Sequence, residues 1–229
     1  MDMYDDPNYT QKPLSHYECV INEKALKNIQ TEQVKLEAFD AMEQLEGWCT
    51  KFKASVLMSL IFKTKPQKIV EIGVWGGKSL VPMAFAMKAL GRGKVYGIDP
   101  WSASESIQGM DGVNKEWWGS IDHNAIYQGL VRKIAQFQLK SYVKLVRSTS
   151  ENAPLISDID ILHIDGNHSE ETSFFDVMKW VPLVKSGGLI IFDDTTWGTT
   201  ARAVQWLNAN YTKISDYHED NDWGIWVKS

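Results

Sequence analysis

Lys68-Ile-Val-Glu-Ile-Gly-Val-Trp-Gly-Gly-Lys-Ser79 is the stretch on which the fold turns. Its first five residues are mostly apolar and β-branched, the make-up of a short buried strand over Lys68–Ile72. The run Ser79 to Leu90 is apolar enough for a buried helix, and Gly91 stops it. Between them, Gly73-Val-Trp-Gly-Gly77 is a turn. Glycines there let the backbone fold tightly and let a ligand approach the helix N-terminus. Strand, glycine turn and apolar helix make the first half of a βαβ unit.

Working outward, the same alternation continues. Strands are expected at Val95–Ile98, Tyr142–Val146, Ile159–Ile164 and Leu189–Phe192, the last after the turn Ser186-Gly-Gly188. Helices are expected at Ile121–Leu139, Glu170–Leu183 and near Thr199–Asn210. Two final strands lie near Tyr211–His218 and Trp223–Val227. Upstream, apolar residues at helical spacing predict a helix over Asn22–Glu46, with Asn22 as its cap, and a second over Lys51–Phe62. Residues 1–20 read as a tail ordered only by docking, and residues 101–120 as an inserted loop. Strands alternating with helices predict a mainly parallel sheet covered on both faces. The short polar turn Glu219–Asp222 permits only a hairpin, so the final strand should run antiparallel. The expectation is an α/β, Rossmann-like three-layer sandwich. Its seven-stranded, mostly parallel sheet would end in an antiparallel hairpin. Residues 1–65 would form N-terminal helices serving as a cap or dimer contact, and residues 66–229 the main domain.

Composition narrows the function classes. The 229 residues suffice for one large α/β domain. Cys19 and Cys49 have neither metal-ligand spacing nor disulfide density, which suits a reducing compartment. Met1 to Tyr9 is acidic and polar, unlike a signal peptide. The longest apolar run, Ala54–Phe62, is far short of the ~20 residues that span a bilayer, so a cytoplasmic protein without membrane partners is expected. Net charge is −5, and the densest basic group is only Lys63, Lys65 and Lys68. That argues against a nucleic-acid partner, whose phosphates need a basic face.

Three ligands suit a glycine turn of this kind. A dinucleotide would want G-x-G-x-x-G, but Val74 and Trp75 follow Gly73. A triphosphate would want G-x-x-x-x-G-K-[ST]. Gly77-Lys78-Ser79 matches its end, yet the first glycine stands at 73 where 72 is required. Glu71 at the strand end should aim a negative charge at the pocket, repelling phosphates by ~1 kcal/mol or more and attracting a cation. S-adenosylmethionine carries an ammonium and a sulfonium and no phosphate. Asp99, 28 positions beyond Glu71, follows the next strand and can accept two hydrogen bonds from ribose hydroxyls. The plainer reading of Asp99-Pro100 is a turn.

With these residues in view, Glu71-x-Gly73-x-x-x-Gly77-x-Ser79 resembles the first motif of class I methyltransferases, particularly the metal-dependent O-methyltransferases related to catechol O-methyltransferase. Asp99 matches that family's ribose-binding acid, and Ser148-Thr-Ser150-Glu151 resembles the segment bordering its adenine. The resemblance runs from about residue 66 to the C-terminus, leaving residues 1–65 and 101–120 outside it. It implies S-adenosylmethionine bound by Glu71, Gly73, Gly77, Ser79, Asp99, Thr149, Ser150 and Asp165.

A second constellation is Ile161-Leu-His-Ile-Asp165-Gly-Asn-His168 with Ile190-Ile-Phe-Asp193-Asp194-Thr195. Both acidic groups follow apolar strands, and strands joined by one crossover helix are usually neighbours. Three carboxylates in one cleft repel each other unless a cation or protons intervene, and oxygen ligands suit magnesium, manganese or calcium. The bland reading makes Asp193-Asp194 a helix cap and Asp165 a turn residue. The resemblance implies that Asp165, Asp193 and Asp194 hold a divalent metal, magnesium first. One departure is visible: catechol O-methyltransferase has an Asp-Asn pair where this chain has Asp193-Asp194. His168 is the best-placed proton acceptor, and an exposed or capping imidazole is its alternative reading. His163, on a buried strand, should pack or hydrogen-bond in the core. The expected reaction is metal-assisted O-methylation of a small-molecule hydroxyl. Trp101, Trp117 and Trp118 of the insertion, with Trp197, would form a lid or acceptor wall, or simply pack the loop down. A phosphate-binding NTPase and a non-catalytic binding protein are the competing readings.

Overall fold

The structure, a computed structural model, describes residues 16–109, 112–218 and 222–229, with side chains from residue 28 onward except at position 114. Seven strands of the described residues form one sheet: β1 (Lys68–Ile72), β2 (Lys94–Asp99), β3 (Val143–Arg147), β4 (Ile159–Ile164), β5 (Val184–Phe192), β6 (Thr212–Tyr217) and β7 (Trp223–Val227). Their order is β3-β2-β1-β4-β5-β7-β6. The first five are parallel, and β7 pairs antiparallel with both β5 and β6. The expected sheet and its C-terminal hairpin are both present.

The helices are α1 (His16–Met42), α2 (Lys51–Thr64), α3 (Leu80–Leu90), α4 (Ala103–Ser106), α5 (Gly112–Ser120), α6 (His123–Gln136), α7 (Glu170–Trp180) and α8 (Ala201–Asn210). Buried strand residues alternate between two apolar layers, as a pleated sheet requires. Ile69, Val95, Ile161, Ile191 and Ile225 face α1, α2, α3 and α6. Val70, Ile98, Leu162, Ile190 and Trp226 face α7 and α8. Helix α3 is buried continuously from Leu80 to Met87 because the sheet lies on one side and α1 and α2 on the other. Among the described residues, no helix is long and apolar enough to cross a membrane.

Four local expectations need correcting. Helix α1 begins at His16 and runs straight through Asn22, so Asn22 is an interior residue and not a cap. The rest of the expected tail, residues 1–15, lies outside the described residues. The insertion contains two short helices, α4 and α5, where a loop is expected. Ser186-Gly-Gly188 lies within β5 as an irregularity, where the pairing jumps from Ile159↔Val184 to Ile161↔Leu189. The backbone groups of this stretch are met from β7's side, Gly187 N–H donating to the Lys228 carbonyl at 2.7 Å, so turn chemistry is absorbed as a bulge.

Candidate active site

The parallel register builds the site. Ile72 pairs with Ile98 and with Ile164, and Ile164 with Phe192. The residues just past these pairs, Gly73, Asp99, Asp165 and Asp193, therefore leave the sheet along one edge, where ligands of open α/β sheets bind. The β1 and β4 turns are pressed together. Gly73 N–H donates to the Ile98 carbonyl at 2.9 Å and Asp165 N–H to the Ile72 carbonyl at 2.8 Å. Gly73 has φ +80°, and a Cβ there would lie 1.9 Å from the Asp165 carbonyl oxygen. At Gly77 a Cβ would lie 2.5 Å from Leu130 of α6. Both glycines are demanded by the chain's own packing before any ligand is considered.

Asp99 holds the glycine turn in shape. One carboxylate oxygen accepts from Val74 N–H at 3.0 Å and Trp75 N–H at 2.9 Å, the other from Trp101 N–H at 2.7 Å. Burial raises its pKa, and these three backbone donors oppose the rise. Ser79 does not cap α3. Its hydroxyl donates to Glu71 Oε1 at 2.5 Å, while Val81 N–H donates to the Gly77 carbonyl at 2.9 Å and Pro82 has no N–H to offer. Thr149 Oγ1 accepts from Asn152 N–H at 3.2 Å, and the Ser150 carbonyl from Lys179 Nζ at 2.8 Å and Trp180 Nε1 at 3.3 Å. That segment follows β3 as a half-buried turn at the same edge of the sheet.

Glu71 corrects an expectation. Its carboxylate is wholly buried, with Oε2 lacking a hydrogen-bond partner among the described residues. Glu71 and His163 are register partners on adjacent strands, so their side chains meet on one face, with His163 Nδ1 2.9 Å from Glu71 Oε1. The other imidazole nitrogen, Nε2, lies 3.3 Å from Asp193 Oδ1. Burial and the nearby Lys53 ammonium would lower this histidine's pKa, but the two flanking carboxylates prevail and lift it to about 9. An imidazolium with both N–H groups donating satisfies both neighbours.

Asp193 and Asp194 then part company. Asp193 is buried, and its second oxygen is ion-paired with the ammonium of Lys53, from the first turn of α2. Burial alone would raise the Asp193 pKa; Lys53 and His163 instead hold it well below the usual carboxylate range. Asp194 adopts φ +53° and turns the other way. Its Oδ2 lies 2.8 Å from His168 Nε2, which is also 4.0 Å from Asp165 Oδ1. Asp165 stands between the two, its pKa raised by desolvation and by the Asp193 charge.

Asp165 is shared by two sets of potential donor atoms, each within 4.8 Å: His163, Asp165 and Asp193 inside, and Asp165, His168 and Asp194 outside; neither set holds Asp193 and Asp194 together. The inner set is already satisfied by Lys53. Part of the cation that these charges call for is therefore supplied by the chain itself. The outer set is part exposed and retains oxygen donors that a hard ion could use. Lys53 was missed because α2 lies outside the recognised motifs. A signal was present, however: a lysine one turn before Leu57 on the face that also buries Met58 and Ile61 is a charge inside an apolar stripe.

The insertion covers this edge. Asn167, from the β4 turn, donates to the Gln108 carbonyl at 2.9 Å. Trp118 of α5 packs edge-on against Trp75 of the glycine turn at 4.8 Å, and half-exposed Trp48 adds a third ring at 5.9 Å from Trp118. Trp117 meets Trp118 at 5.0 Å and remains half exposed. Trp101 is buried and donates to the Trp75 carbonyl at 2.9 Å, a packing role. Trp197 is half exposed with its ring 5.2 Å from that of His168.

Comparison with known proteins agrees with this geometry. A family described as a methyltransferase domain matches residues 70–195, more than half the chain. A caffeoyl-CoA O-methyltransferase from Stellaria longipes is 27% identical over 169 residues, 73% of this chain, and the match spans only 60% of that relative's length. Among solved structures, the O-methyltransferase TomG from Streptomyces achromogenes, in complex with SAM and involved in tomaymycin synthesis, superposes with a TM-score of 0.58. It is 14% identical, over 86% of this chain and 90% of that one. The O-methyltransferase from Bacillus cereus in complex with SAH gives 0.55 at 16% identity, over 87% and 90%. The likeness to these structures is one of fold. With a family match running from the β1 strand through the acidic pair, the chain belongs to the methyltransferase-domain family.

Proposed function

We propose that the protein transfers the methyl group of S-adenosylmethionine to a hydroxyl of a small molecule, with a phenolic, natural-product or sugar hydroxyl as the acceptor class. The observation that carries this reading is the single edge on which the Asp99-pinned glycine turn and the Asp165–Asp194–His168 group stand side by side. The first holds a cofactor, the second prepares a hydroxyl next to it. S-adenosylmethionine, when bound, supplies the electrophilic methyl group. Asp99 would take its ribose, and the Thr149–Ser150 turn its adenine edge.

His168 is the proton acceptor in this scheme. Asp194 orients the imidazole through a 2.8 Å contact, and Trp197 packs edge-on against it. A base so held removes the hydroxyl proton as the oxygen attacks, and most of the acceleration comes from holding the reacting groups in place. A divalent ion fits the two outward carboxylates, Asp165 and Asp194, which is the donor number magnesium commonly takes from protein. Such an ion would lower the pKa of the acceptor hydroxyl. Asp193 stays out of that set because its oxygens are engaged by Lys53 and His163. Cys49 is a free thiol, which suits a reducing, cytoplasmic setting.

The test is direct. S-adenosylhomocysteine should raise the melting temperature, and ATP with magnesium should add nothing to the effect of magnesium alone. Labelled methyl transfer to a panel of phenols and sugars should find an acceptor, and His168→Gln should lower kcat by roughly a hundredfold or more. A chain that ignores S-adenosylhomocysteine at millimolar concentration would sink the reading.

A further inference from the structure

We infer that the Lys53 ammonium is a resident cation that occupies the inner half of the acid cluster, claiming Asp193 and confining any divalent ion to Asp165 and Asp194. The inference rests on the methyltransferase reading above and concerns what this chain does to its own metal site. Its basis is placement. Lys53 comes from α2, 140 positions before its partner, and its side chain is 4% exposed, as is that of Asp193. It is fixed at its root, since Lys53 N–H donates to Thr50 Oγ1 at 3.1 Å in the N-cap of α2. The ammonium also lies 5.6 Å from the ring centre of buried Trp223. The helix start is thus fixed by its cap, and burial with the Asp193 pairing holds the ammonium inside.

Charge and stoichiometry follow. Asp193 has one oxygen on Lys53 and the other 3.3 Å from His163, which in turn contacts Glu71. The chain Lys53–Asp193–His163–Glu71 therefore runs from α2 beneath the acid cluster to the glycine turn, closed by Ser79. A divalent ion at Asp193 would have to displace a covalently tethered, buried cation. At Asp165 and Asp194, both part exposed, it meets carboxylates that no buried cation holds, and Asp194 Oδ1 does not face His168. Lys53 is a positioning residue here: too buried to touch an acceptor, it decides which carboxylates remain open.

The experiment compares Mn2+ binding to the full-length wild type, Lys53→Met, Asp193→Asn, Asp194→Asn and the Lys53→Met/Asp193→Asn pair by titration calorimetry and thermal melting. Lys53→Met keeps the length of the side chain and removes its charge. It should bind Mn2+ at least ten times more tightly than wild type. Its melting temperature should fall without metal and recover as Mn2+ is added. The double variant should lose both effects, because the freed carboxylate is gone. In the wild-type background, Asp193→Asn should leave Mn2+ affinity within about twofold, and Asp194→Asn should abolish it. Equal affinity in wild type and Lys53→Met, or equal losses in Asp193→Asn and Asp194→Asn, overturns the inference. So does a Lys53→Met chain that stays unfolded at every Mn2+ concentration, since Asp193 would then accept no replacement ion. Melting with S-adenosylhomocysteine in the same series tells this failure from failure of the methyltransferase reading, as cofactor binding by wild type does not depend on Lys53 competing with metal.

Discussion

Asp193 and Asp194 are chemically identical neighbours with different environments, and one backbone angle separates them. The left-handed conformation of Asp194 sends its carboxylate outward to His168, while Asp193 continues the strand direction into the core. Asp176 is a third acid with its own environment. It sits inside α7, 1% exposed, with Oδ1 lacking a hydrogen-bond partner among the described residues. Burial lifts its pKa to about 7, against the opposing effects of Ser150 and Lys179. The folded value lies above the unfolded one, so its contribution is fully present below about pH 4 and is lost as pH rises through about 7. Asp176→Asn should therefore gain on wild type with rising pH, by on the order of 4 kcal/mol at pH 8 and progressively less towards pH 4. Urea melts at several pH values read this out; a gap independent of pH would contradict it. Gly73→Ala is the opposite case, a change no pH relieves. The added methyl meets the Asp165 carbonyl, and a loss of at least about 2 kcal/mol is expected in the same melts.

At the level of elements, α2 does two jobs with one N-terminus. Thr50 caps the helix and, through that cap, fixes the turn carrying Lys53. Thr50→Ala should cost about 1 kcal/mol, the usual worth of an N-cap, read as a shift in urea midpoint. The insertion is the other informative element. Its α5 is held to the glycine turn by aromatic contacts, chiefly Trp118 on Trp75. Trp118→Ala should speed hydrogen exchange across residues 112–120 by roughly tenfold, equivalent to about 1.4 kcal/mol of lost ring packing. Exchange in α7 should not change. Uniform acceleration throughout the chain would instead mean that α5 is part of the global folding unit.

Across the whole molecule, the N-terminal helices supply core. Ala38, Ala41, Leu45, Leu57, Met58 and Ile61 pack in the same apolar layer as Ile69, Val81 and Met83. A fragment spanning 66–229 should therefore lack a cooperative melt and bind a hydrophobic dye, having lost both half a core face and the counter-ion of Asp193. The chain's alternation of strands and helices was legible along its length because periodicity records burial, and burial is shared by every residue of an element. Acids at the ends of β2, β4 and β5 were likewise legible as one row, since parallel strands end on the same side. The start of α1, the helices of the insertion and the bulge in β5 were not, because local polarity and glycine content outweigh the packing that settles them. The sequence by itself determined the sheet, its antiparallel finish and the edge on which the acids meet. Only the tertiary structure decided that Glu71 is buried, that Asp193 and Asp194 diverge and that Lys53 neutralises the first of them. A charge finds its partner through space, and residues 140 positions apart leave no trace of that meeting in either one's neighbourhood.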